Sequence, residues 1–112
     1  MDDAEIYDSL KSRLIPLGFE SAATEFKMRW GKCTGPGWRM FPALSLGYIN
    51  IMWSTPEDHE TIGQHRPFED MNHRLSQLGA IHAALKPFGY EGEIKIRIND
   101  TPCLIITRIP TA

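Results

Sequence analysis

Cysteine is scarce in this chain: its 112 residues hold two, Cys33 and Cys103. A secreted scaffold of such length normally carries more, at regular spacing, so the pair reads as reduced thiols in the cytoplasm. An excess of positive charge is also missing. Lys and Arg number 12 against 14 Asp and Glu, a net charge of −2. That balance argues against nucleic acid as a partner held through bulk charge. No apolar run approaches the ~20 residues of a membrane span. The opening Met1-Asp2-Asp3-Ala4-Glu5 is acidic where a secretory signal is basic and then apolar. Gly35-Pro36-Gly37 lacks the Gly-Lys-Ser/Thr that completes a phosphate loop. No cofactor is therefore expected, and no membrane.

What is present has an ordinary globular balance, 42% apolar and 23% charged. The length fits a single domain over 1–112, enough chain to bury roughly two-thirds of its unfolded surface without staples.

Ile6, Leu10, Leu14 and Leu17 recur at helical spacing beside Tyr7 and predict a first helix, ended by Pro16 and Gly18. Glu25–Trp30 alternates charged with apolar residues, the pattern of a half-buried strand. From Gly31 to Pro42 glycine and proline recur, which reads as a loop with a short strand at most near Trp38–Phe41. A strand follows over Ala43–Ser54. Its two parities conflict; either a bulge near Gly47 reconciles them or both faces of the strand are covered. Residues 55–66 are polar and read as a connection. Phe68, Met71, Leu75, Leu78, His82 and Leu85, flanked by Ile81, predict a second helix over 67–86, ended by Pro87 and Gly89. Strands over Glu93–Asn99 and Cys103–Ile109 then form a hairpin around Asn99-Asp100-Thr101-Pro102.

The two halves rhyme. Leu14-Ile15-Pro16-Leu17-Gly18-Phe19-Glu20 matches Leu85-Lys86-Pro87-Phe88-Gly89-Tyr90-Glu91, and Glu25–Trp30 matches Glu93–Ile98. Helix-to-strand punctuation alone produces part of this likeness, because Pro, then Gly, then an aromatic suits such a junction. Order and spacing together favour a repeat, about 3–54 and about 67–110. The expected fold is α+β: two αββ units in pseudo-twofold relation, forming a mostly antiparallel sheet with two helices packed on one face. Lys27, Arg29, Lys95 and Arg97 would lie on the other. In topology alone this is similar to small duplicated ligand-binding folds and to the α/β chaperones of secretion systems.

Four groups of residues invite a functional reading. Trp38, Arg39 and Phe41 are of types enriched where proteins meet, although Trp38 and Phe41 equally suit a plug at the end of a core. His82 falls within the apolar stripe of the second helix. Either it is a core histidine with its hydrogen bonds satisfied, or it faces a pocket between the repeats with Trp30, Trp53 and Tyr48. His59, His65 and His73 stand among Glu57, Asp58, Glu60, Glu69 and Asp70, a set that suits zinc in composition but not in spacing. Solvated loop and helix-start charges explain it as well, and no metal is expected. Cys33 and Cys103 carry no nucleophile signature.

The expectation is a non-catalytic protein-interaction module with a protein partner. It would be a small acidic accessory protein of the inhibitor or chaperone kind, such as phages and mobile elements carry. A homodimer is expected too, since one small sheet leaves edges and a face to cover. The alternatives are a small-molecule-binding protein with a pocket between the repeats, and a metal-dependent hydrolase using the His59–His73 region.

Overall fold

The computed structural model describes residues 3–21, 36–43, 47–54, 68–97 and 101–110. Helix α1 spans Asp3–Leu14, strands β1 and β2 span Gly37–Ala43 and Tyr48–Ser54, helix α2 spans Phe68–Leu85, and strands β3 and β4 span Glu91–Arg97 and Thr101–Arg108. Every strand pair is antiparallel and the sheet order is β1-β2-β4-β3. The chain is thus α+β, with two helices and a four-stranded antiparallel sheet among the described residues. The predicted strand Glu25–Trp30, with Trp30 itself, lies outside those residues, as do Cys33, His59 and His65.

Both helices end in the way the Pro and Gly spacing dictates. A 3₁₀ turn follows each, Ile15–Leu17 and Lys86–Phe88, with proline in its first positions. Gly18 and Gly89 then take φ of 91° and 94°, a left-handed conformation that costs other residues a Cβ clash. The chain reverses onto the sheet at both places. Phe19 N–H donates to the Leu14 carbonyl, and the Tyr90 and Ser9 hydroxyls share a 2.7 Å hydrogen bond that ties the start of β3 to α1.

The short strand allowed near Trp38–Phe41 within the predicted loop is a seven-residue strand, β1, at an edge of the described sheet. Its alternation was masked by Pro36, Gly37 and Pro42. An edge strand tolerates a proline whose missing N–H would point outward. Trp38 shares that parity, and its N–H does point outward, to the Glu20 carbonyl at 3.1 Å. Gly47 is no bulge: with φ of 85° it belongs to the turn between β1 and β2.

One core holds the sheet and both helices together. Trp38 and Met40, Ile49 and Ile51, and Leu104 and Ile106 form the inward rows of β1, β2 and β4. Ile6, Tyr7, Leu10 and Leu14 from α1, and Leu78, Ile81 and Leu85 from α2, close over them. The buried line of α2 is Met71, Arg74, Leu78, Ile81 and Leu85, while Leu75 and His82 are half-buried. The predicted stripe is therefore turned, because it left out Arg74 as polar. Leu17, which the helical spacing placed in the apolar stripe, is 55% exposed, and Ile96 on β3 is 56% exposed.

Arg74 has a backbone reason to be buried. The β2–β4 ladder runs from Ile49↔Ile106 to Ile51↔Leu104 and stops. Continued by two residues it would set Trp53 against Pro102, which has no N–H to give. The guanidinium of Arg74 donates to the Trp53 carbonyl instead. Pro102 thus costs the sheet no unsatisfied acceptor.

Candidate functional site

The sheet separates two rows of side chains. Toward the helices point Trp38 and Trp53, which stand opposite one another in the β1–β2 register. On the side opposite α1 and α2, Arg39 faces Met52 and Phe41 faces Asn50, with Tyr48 at the next like position of β2. The row continues across β4 and β3, where Ile105 faces Glu93 and Cys103 faces Lys95. Because strand side chains alternate, these residues share one face.

On this face the four strands line a concavity of about 930 Å³. Its lining includes Phe41 from β1, Tyr48, Asn50 and Met52 from β2, Cys103, Ile105 and Thr107 from β4, and Glu93, Lys95 and Ile96 from β3. Cys103 and Ile105 lie deep, 2% and 9% exposed. At the β3 rim Lys95 Nζ stands 3.2 Å from Glu93 Oε1, so the charges there largely answer each other. The groove is lined by apolar and aromatic surface, with Asn50, Thr107 and the Tyr48 hydroxyl as its uncharged polar groups, and it carries little net charge.

The expected site residues divide between the two faces. Trp38 is wholly buried. Its Nε1 donates to the Phe19 carbonyl at 3.0 Å, and its ring lies 5.5 Å from that of Tyr7. It plugs the core between the exit of α1 and the start of β1. Arg39 is 9% exposed, with its guanidinium 5.3 Å from the Phe41 ring centroid. Phe41 itself reaches the groove. The pocket candidates part likewise: Tyr48 lines the groove, whereas Trp53 faces the helices and His82 is a half-buried residue of α2. The described residues do not gather His82, Trp53 and Tyr48 into one pocket.

His73 is exposed and meets Trp53 edge-on, ring centroids 5.9 Å apart. No group of His, Cys, Asp and Glu suited to a metal ion occurs among the described residues. No described helix is long and apolar enough to cross a membrane.

The groove residues Met52, Asn50, Cys103, Ile105 and Thr107 escaped the sequence reading. One signal pointed to them. Cys103-Leu104-Ile105-Ile106 is apolar on both parities, and a strand with one face open to water alternates instead. A continuous apolar run marks a strand with both faces in demand.

No protein-family model, no curated protein and no solved structure matches the chain.

Proposed function

We propose that this chain is a non-catalytic protein-interaction module, a small cytoplasmic accessory protein of the inhibitor or chaperone kind. The sheet face opposite α1 and α2 would receive an extended apolar segment of a partner protein. The observation that carries this reading is the apolar groove across all four strands, on the side of the sheet opposite α1 and α2. Aromatic and methionine side chains are favoured at such contacts because they give large, adaptable area. The rim charges Glu93 and Lys95 are paired with each other, so the segment best suited to the groove is uncharged and alternates apolar with small polar residues. The interaction surface is thereby assigned to Phe41, Tyr48, Met52 and Ile105 rather than to Trp38.

A second reading has a specific observation behind it. The volume lies within the roughly 300–1,000 Å³ of small-molecule sites, and the groove crosses the β2–β4 seam where the two halves of the chain meet. We infer that these halves are duplicated αββ units. The matched helix ends support this, and among the described strands each half supplies one outer and one inner strand of the sheet, although the segment matched to β3, Glu25–Trp30, lies outside the described residues. A ligand at the seam would then sit on the pseudo-twofold axis.

Two probes separate the readings: a labelled extended peptide of alternating leucine and serine, followed by fluorescence anisotropy, and an anilinonaphthalene sulfonate dye. Peptide binding that is lost in Met52→Glu, with the circular dichroism spectrum retained, supports the protein-partner reading. Dye binding lost in the same variant, without peptide binding, supports the small-molecule reading. Binding of neither, or binding that Met52→Glu leaves unchanged, removes the groove from consideration.

A further inference from the structure

Among the described residues the two edges of the sheet are β1 and β3, and they are finished differently. At β1 the Glu20–Ser21 segment lies alongside Trp38, and Pro42 removes a further outward donor. The orientation of β3 follows from Pro102. The β3–β4 ladder runs past this residue to Arg97↔Thr101, so Pro102 must turn its donorless nitrogen away from β3. Glu93, Lys95 and Arg97 therefore exchange hydrogen bonds with Ile105, Cys103 and Thr101. Gly92, Ile94 and Ile96 direct their N–H and C=O groups out of the sheet. None of these three has an edge partner among the described residues.

We propose that a second copy of this chain pairs with it antiparallel along the β3 edge, with Ile94 of each copy facing the other across a twofold axis. The two four-stranded sheets then become one continuous sheet. This goes beyond the groove reading and does not rest on what the groove binds.

Three facing pairs would carry the ladder: Ile94 with Ile94, Gly92 with Ile96, and Ile96 with Gly92. All belong to the outward-directed set, as an antiparallel ladder requires. The residues between them fall at the narrow positions, where side chains approach most closely. There Glu93 of one copy meets Lys95 of the other, twice by symmetry. In the same backbone register position 91, a glutamate, stands opposite position 97, an arginine. The order acid, acid, base, base along β3 is thus complementary to itself when reversed.

The neighbouring registers that keep the outward groups paired are penalised. Centring on residue 93 sets Glu93 against Glu93, and centring on residue 95 sets Lys95 against Lys95. Moving one residue further in either direction puts Glu91 against Glu93 or Lys95 against Arg97. Like charges directly opposite destabilise a sheet. A charged edge can also serve merely to repel other chains; like charges along the strand would do that, whereas this order selects one register of the same strand.

The uncharged face of β3 fits as well. Ile96 is 56% exposed and would lie across from Gly92, which has no side chain to obstruct it. Glu93, Lys95 and Ile96 also line the groove, so pairing brings the two grooves side by side across the axis.

Sedimentation equilibrium of the full chain, without added peptide, tests the pairing. A strand edge alone buries less than the ~800 Å² per partner of a stable interface, so the dimer is expected to dissociate on dilution. Glu93→Lys and Lys95→Glu should each raise its dissociation constant by at least about tenfold. An equimolar mixture of these two variants should regain wild-type association as a heterodimer, because each then faces opposite charge. The double exchange in one chain should restore the homodimer. Circular dichroism verifies folding of these exposed-site variants, and Glu93→Gln with Lys95→Gln serves as the neutral pair, expected to weaken association less. A monomer across the soluble range, variants that associate as tightly as wild type, or a mixture that fails to recover would each overturn the proposal.

Discussion

The buried guanidinium of Arg74 donates to the backbone carbonyl of Trp53, at the place where the sheet would otherwise draw an N–H from residue 102. A helix side chain thereby completes a strand ladder. Arg74→Met is expected to lower stability by about 1–3 kcal/mol, the cost of leaving a buried acceptor unpaired. Pro102→Val supplies an N–H at the facing position. In the Arg74→Met background it should return about 1 kcal/mol, and more than it gives in the wild type. Urea denaturation of the four proteins of the cycle measures the coupling. Strict additivity would show that the two residues do not share this acceptor.

Trp38 ties three pieces of the fold together through its ring, its indole N–H and its backbone N–H. Trp38→Ala is expected to cost about 3–5 kcal/mol through the cavity it opens. Trp38→Phe keeps most of the ring volume but drops the bond to the Phe19 carbonyl, and should cost about 1–2 kcal/mol. Guanidinium unfolding reports both. A change within about 0.5 kcal/mol for Trp38→Ala would mean that the ring is at the surface after all.

Two glycines should respond to alanine with opposite signs. A Cβ at Gly92 would stand 3.0 Å from both the Ile105 carbonyl carbon and the Ile106 Cα, and closer still to the Ile105 oxygen. This is strand backbone that cannot step aside, so Gly92→Ala should destabilise by about 1–3 kcal/mol. Gly79 lies within α2 with nothing within 4 Å of its Cβ position. Gly79→Ala should therefore stabilise by about 0.5–1 kcal/mol through helix propensity alone. Thermal melting of the two variants checks the pair, and equal signs would contradict this packing of β3 on β4.

The punctuated elements were legible in the sequence, and the ones that break a local rule were not. Pro16–Gly18 and Pro87–Gly89 marked both helix ends to within a residue or two, because proline and a left-handed glycine constrain the backbone whatever surrounds them. The same rule misled at β1. Pro42 there signals an edge position rather than a loop, and only the sheet order tells these apart. Arg74 was left out of the buried face of α2 because an arginine is buried only where it is partnered, and one partner here is a carbonyl distant in sequence. The groove was hidden for a related reason. Its floor comes from alternate residues of four strands, and no single stretch of sequence contains it.

The proposed binding surface is the sheet face opposite α1 and α2, which takes in Phe41 but not the buried Trp38. The most direct measurement is the perturbation of backbone amide resonances on titration with the alternating leucine–serine peptide. The shifts should gather at Phe41, Tyr48, Asn50, Met52, Ile105 and Thr107 and vanish in Met52→Glu. Shifts that gather instead along α1 and α2, with the amides of β2 and β4 unmoved, would contradict it.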